Sequence, residues 1–175
     1  MCSRSFGSTV NDKDSIKKFI TEYTIRACEK MRSQNTRAQS VYIFLQTNRF
    51  NKDKQHNEGI IIGLNAPCSD TAKIIKLSTT VIDMIYRPGY LYQKAGIMLL
   101  DLIPENINQY DFFENTNYHP SDIRMQVIDS LNRKFGPGII ANGSLRSNNK
   151  EKWDSKKHYL SPRYTTQWDE LPHAM

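Results

Sequence analysis

Two stretches of this chain repeat apolar residues at a spacing of three and four, and short runs rich in β-branched and aromatic residues bracket each of them. That alternation of periods restricts the fold more than any other feature. From Ser15 to Arg32 the stripe is Ile16, Phe19, Ile20, Tyr23, Ala27 and Met31, one face of an amphipathic helix, with Lys17, Lys18, Glu22, Arg26, Glu29 and Lys30 largely on the other side. The second stripe is Ile74, Ile75, Ser78, Val81, Ile82 and Ile85, capped by Ser69 or Asp70 and stopped at Arg87-Pro88-Gly89. Ser3 to Val10 reads as a strand ahead of the first helix. Arg37 to Thr47 and Gly59 to Leu64 form a hairpin joined by the polar loop Asn48 to Glu58, and Tyr90 to Ile103 is a last strand ended by Pro104. The order β-α-β-β-α-β is a split βαβ, ferredoxin-like α/β (α+β) arrangement: a four-stranded sheet with two helices on one face and the other face open to a partner.

The charge is unevenly spread. Of 24 Lys and Arg and 18 Asp and Glu, 15 and 9 precede residue 105, so the whole net charge of +6 lies in the first part of the chain. Excess Lys and Arg attracts polyanions by counterion release, which keeps a nucleic-acid partner in view. With 175 residues the chain suits one compact domain plus an annex. Nothing approaches the roughly 20 apolar residues of a membrane span, and Met1 to Val10 lacks the apolar run of a secretory signal, so a cytoplasmic protein with no membrane partner is expected. Cys2, Cys28 and Cys68 are widely spaced with no C-x-x-C pair, and are read as reduced thiols.

Past Pro104 the pattern changes. Glu105 to Pro120 has no period and reads as a linker carrying a short exposed motif, giving units of 1–104, 105–120 and 121–175. Ser121 to Phe135 returns to helical spacing through Ile123, Val127, Ile128, Leu131 and Phe135, and Gly136-Pro137-Gly138 ends it. Ile139 to Ala141 is expected as a short strand. Asn142 to Lys157 is polar and Ser/Asn/Lys-rich, and the aromatic residues Trp153, Tyr159, Tyr164 and Trp168 suit docking on a surface.

Four fragments carry a resemblance. Cys2-Ser3-Arg4-Ser5-Phe6-Gly7, Ala27-Cys28-Glu29-Lys30-Met31-Arg32, Tyr92-Gln93-Lys94-Ala95-Gly96-Ile97-Met98-Leu99 and Ser161-Pro162-Arg163-Tyr164-Thr165-Thr166 stand in the order and spacing seen in UmuC-type subunits of the SOS-induced, error-prone DNA polymerase V. These belong to the Y family of translesion polymerases. The resemblance covers nearly the whole chain and implies a little finger domain, its sheet laid along the DNA, followed by a small, mostly helical or irregular C-terminal extension. Ser3, Arg4 and Ser5 on the first strand, Thr47 and Arg49 at the end of the second, and Gln93 and Lys94 on the last are then the expected DNA contacts. Hydroxyls, amides and cations hold phosphates without reading bases, as bypass of a damaged primer–template requires. A solvated sheet face needs polar residues in any case.

Gln109-Tyr110-Asp111-Phe112-Phe113 resembles the pentapeptide with which bacterial polymerases dock on the β sliding clamp, with Tyr110 and Phe112 in place of the usual leucines. The resemblance also implies a processed UmuD dimer and RecA as partners. The polymerase chemistry of such proteins resides in a palm domain that holds two Mg²⁺ ions about 4 Å apart, and this chain begins after that domain would end. Asp12, Asp14, Asp53, Asp70, Asp83 and Asp101 form no metal motif, and the four histidines have no ligand spacing. No cofactor in this chain and no polymerase activity from these residues alone are expected. A rival reading is a truncated protein that competes for the clamp and modulates other polymerases, or an interaction module with no DNA role.

Overall fold

In the computed structural model, residues 1–50, 54–107, 119–136 and 138–141 are described, together with 143, 161, 162, 169 and 171. The elements run β1 (Cys2–Val10), α1 (Lys13–Arg32), β2 (Thr36–Thr47), β3 (Asn57–Cys68), α2 (Thr71–Ile85), β4 (Tyr92–Pro104) and α3 (His119–Phe135). The β-α-β-β-α-β order is the one the alternating periods lead to. All pairings are antiparallel and the sheet order is β1-β4-β2-β3, which leaves β1 and β3 at the edges.

Local chemistry sets the helix starts. The Asp12 carboxylate accepts the Ser15 N–H at 2.8 Å, and Asp70 accepts those of Ala72 and Lys73 at 2.8 and 3.4 Å, satisfying amides that have no partner within the first turn. The Ser15 backbone hydrogen bond holds the Asp12 carboxyl below the usual carboxylate range. α2 ends at Ile85, with Tyr86 as its extended cap two residues before Pro88, whose ring would block a further turn.

The core lies between the sheet and α1 with α2. Ile16, Phe19, Ile20 and Tyr23 of α1 and Ile74, Val81, Ile82 and Ile85 of α2 pack on Val41, Ile43, Leu45, Ala95 and Ile97. Phe6 meets Phe19 edge-on at 4.6 Å and Phe19 stacks on Tyr23 at 4.3 Å, tying β1 to α1. Ser78 sits in the apolar stripe of α2 because it faces α1. Its hydroxyl lies 3.4 Å from that of the buried Thr24, and each donates to a carbonyl of its own helix.

The chain departs from expectation after β4. Residues Ile139 and Ile140 form a bend, not the short strand expected over Ile139 to Ala141. The Asn132 side chain explains it: its amide donates to the Ile140 carbonyl at 3.0 Å and its oxygen accepts the Ile140 N–H at 2.9 Å, so the groups a strand would pair are already taken.

Candidate nucleic-acid interface

Directly opposed residues in an antiparallel ladder share a face, so the register identifies the sheet's open side. One row across it is Ser5, Lys94, Gln46 and Asn57, and the next is Ser3, Gly96, Phe44 and Gly59. A third is Met98, Tyr42 and Ile61. The alternate residues Ile43, Leu45, Ala95 and Ile97 point into the core.

Aromatic rings lie flat on this face. Phe44 extends over Gly96 and Tyr42 over Gly59: a Cβ at Gly96 would stand 2.7 Å from the Phe44 ring and 2.5 Å from the Ser3 Cβ, and one at Gly59 would stand 2.5 Å from the Tyr42 hydroxyl. The two rings stack at 5.7 Å between centroids. Phe44 is only 5% exposed although it faces away from the helices. Glycine is required at both positions because the space above it is filled by a neighbour's ring. The result is a low surface on which a partner can approach the strands closely. The Lys94 ammonium lies 5.8 Å from the Phe44 centroid, a cation–π placement, and within these rows it is the only cation.

The expected contacts separate on this geometry. Ser3, Ser5 and Lys94 come together on the open face, and Arg49 is exposed just past the end of β2. Arg4 opposes the core residue Ala95, so its register puts it on the helix side of the sheet. Thr47 is 6% exposed, and its hydroxyl donates to Gln55 at 2.9 Å and accepts the His56 N–H at 2.9 Å, pinning the loop between β2 and β3. Gln93 is the residue where the register slips against both β1 and β2, and its amide donates to the Phe6 carbonyl at 3.1 Å, mending the break in β1. Gln46, Asn57, Tyr42 and Phe44 were not anticipated on this face. Their signal is the period of two along β2 and β3.

His56, at the foot of that loop, lies 3.1 Å from Glu58 and 3.3 Å from the Tyr92 hydroxyl, which also bonds the Arg87 backbone. Burial raises the Tyr92 phenol above its ordinary range. The loops flanking the open face are thereby tied together. The carboxylates weighed as metal ligands are spread over other tasks: Asp12 and Asp70 cap helices, Asp83 pairs with Lys17 at 2.8 Å, and Asp101 accepts from Ser40. Among the described residues no three His, Cys, Asp or Glu side chains converge. Among them too, no helix is long and apolar enough to cross a membrane. Asp53 and the segment Gln109, Tyr110, Asp111, Phe112 and Phe113 lie outside the described residues.

Comparison with known proteins places this sheet in a family. Residues 1–112 match the impB/mucB/samB family C-terminal domain. The chain belongs to that family. Residues 125–174 match a second family unit, a domain of unknown function. UmuC of Salmonella typhimurium is 31% identical over 173 residues, 98% of this chain and 40% of the relative. ImpB of the same organism is 32% identical over 176 residues (99% and 41%), and MucB of Escherichia coli 29% over 174 (98% and 40%). The chain thus spans about 40% of the length of these curated relatives. The family match contains the first three fragments that carried the resemblance, and its end at residue 112 cuts through Gln109 to Phe113.

Proposed function

We propose that this impB/mucB/samB domain is the DNA-gripping little finger of a UmuC-type translesion polymerase. Its open sheet face lies along damaged primer–template, and Gln109 to Phe113 recruits the β sliding clamp. The observation that carries the reading is the low, uncharged platform of Phe44 and Tyr42 over Gly96 and Gly59, with Lys94, Ser3 and Ser5 beside it. Such a face offers a cation, the hydroxyls of Ser3 and Ser5 and the amides of Gln46 and Asn57 to phosphates, which position the duplex without reading its sequence. Arg49 extends the charge past the end of β2, while Thr47 and Gln93 act by holding the flanking backbone. The units 1–104, 105–120 and 121–175 then divide the work: grip, recruitment, and contact with a processed UmuD dimer or RecA. The nucleotidyl transfer and its Mg²⁺ ions belong to the part of such a protein that this chain does not span, and the protein acts in the cytoplasm.

The test is anisotropy titration of labelled primed duplexes across a salt series. Affinity falls linearly in log salt with a slope of about −0.9 per phosphate neutralised, and Lys94→Ala flattens that slope by roughly one. Equal affinity for unrelated sequences is expected. A marked sequence preference, or a slope unchanged in the variant, contradicts the reading. For the clamp, saturable binding by the full chain that is lost in the Phe112→Ala/Phe113→Ala double variant is the expected result.

A further inference from the structure

The two edges of the sheet differ. β1 pairs with β4 through Cys2 to Ser5 and then slips before Val10, an irregular edge that resists a further strand. β3 runs in one register with β2 from Asn57 to Gly63, and among the described residues no strand lies on its outer side. Such edges are ordinarily guarded by charge, proline or a bulge. Between Asn57 and Gly63 the only charged residue is Glu58, the break in register comes after Gly63, and Pro67 stands beyond it.

The phase of the ladder shows which amides face outward. The Thr47 N–H donates to the His56 carbonyl at 3.0 Å, which makes that opposed pair a hydrogen-bonded one and, by alternation, turns the amides of Glu58, Ile60 and Ile62 toward β2. The N–H and C=O groups of Asn57, Gly59, Ile61 and Gly63 then point away from the sheet. The sequence along that edge, Gly59-Ile60-Ile61-Ile62-Gly63, reads the same in both directions. Turned about a two-fold axis through Ile61, the strand meets a copy of itself in a ladder where Ile61 opposes Ile61, Gly59 opposes Gly63 and Ile60 opposes Ile62. Each outward N–H of Gly59, Ile61 and Gly63 finds a carbonyl there.

The side chains suit this partner. Ile61 is 63% exposed on the open face, and its counterpart would cover it. Tyr42 reaches over Gly59 toward the edge, its hydroxyl 2.5 Å from where a Cβ would stand, and the residue brought beside it is Gly63, which has no side chain to meet the ring. Ile60 and Ile62 lean on the core from the other face. From this self-complementary edge we infer that a second copy of the chain adds to β3, antiparallel, joining two four-stranded sheets into one whose open faces lie on the same side. The paired edge is small beside the roughly 1,200 Å² of a stable complex, so dimer and monomer exchange.

Amide exchange of the full chain across a concentration series tests the pairing residue by residue. From micromolar to millimolar protein the Gly59, Ile61 and Gly63 amides should gain protection several-fold, while those of Ile60 and Ile62, already bonded to β2, stay constant. Ile61→Lys, at an exposed position, should abolish that gain with the far-ultraviolet spectrum unchanged, because two ammonium groups would meet on the axis. Cysteine cross-linking fixes the register. Ile61→Cys brings two thiols together on the axis, with Cα atoms about 5.5 Å apart, and should give a disulfide-linked dimer under mild oxidation. Gly63→Cys, where a Cβ meets nothing within 4 Å, sets the two Cα atoms about 14 Å apart and should not exceed the background from Cys2, Cys28 and Cys68 in the unsubstituted chain. Outward amides equally open at every concentration would overturn the inference. Protection that Ile61→Lys does not weaken would overturn it in favour of another surface, and cross-linking as strong through Gly63→Cys in favour of another register.

Discussion

Gly96 shows how much of the open face rests on single residues. A Cβ there would overlap the Phe44 ring and the Ser3 Cβ, whereas one at Gly63 would meet nothing within 4 Å. Gly96→Val is therefore expected to cost about 1–3 kcal/mol, the usual range for overpacking, by forcing Phe44 off the sheet. Gly63→Val should be close to neutral, because an exposed strand position prefers a β-branched residue. Urea midpoints of the two variants make the comparison. Cys28 offers a second check. Burial pushes its thiol up to about 12, so the reactive thiolate is scarce near neutral pH. Iodoacetamide at pH 8 should leave Cys28 unmodified in the native chain and label it once urea unfolds the domain, as peptide mass mapping reads directly. At this scale some readings were open to the sequence and others were not. The apolar Phe6, two residues on from Arg4, shares its parity, so strand alternation puts Arg4 on the helix side. Thr47 and Gln93 have the right chemistry for phosphates, but a hydroxyl or an amide serves equally well to satisfy a loop or a bulge, and composition does not separate the two uses.

Among the elements, α1 and α2 were legible because their stripes face a core that needs them, and their caps, Asp12 and Asp70, stand where the polar runs end. The same rule misleads for α3. A stripe is expected to face inward, yet the aspartates on its other side find arginines at the end of α1 and the start of β2, and those pairs decide the orientation. Arg32 carries most of that docking. Besides its two-pronged grip on Asp129 it donates to the Ser69 carbonyl at 2.9 Å and the Thr71 hydroxyl at 2.7 Å, joining three helices at one guanidinium. Arg32→Ala should release α3 while the sheet persists. Hydrogen exchange of amides 122–135 is expected to accelerate about tenfold or more, equivalent to roughly 1.4 kcal/mol or more, with β2 and β4 unchanged. Arg32→Lys should fail to restore protection, because a single ammonium cannot reproduce the fork. Equal acceleration throughout the domain would show that Arg32 supports the fold and not the docking of α3.

For the molecule as a whole, one sheet divides two environments. Its inner face is closed by two helices and its outer face combines flattened rings over glycines with the polar row of Ser5, Lys94, Gln46 and Asn57, whose lysine is the single cation in the paired rows. The β-α-β-β-α-β order was enough to leave one face free, since two helices cover one side of a four-stranded sheet. The flattening was not readable in advance. It comes from contacts between residues far apart in the chain, the directly opposed Phe44 and Gly96 and the diagonal neighbours Tyr42 and Gly59, which only the register brings together. The central claim is that this platform meets DNA. Its most direct test is amide NMR of the isotope-labelled full chain titrated with a primed duplex. The account predicts shifts that cluster at Ser3, Ser5, Gln46, Asn57 and Lys94, fade as salt rises, and spare α1 and α2. Shifts centred on the helices, with the open face of the sheet unmoved, would contradict it.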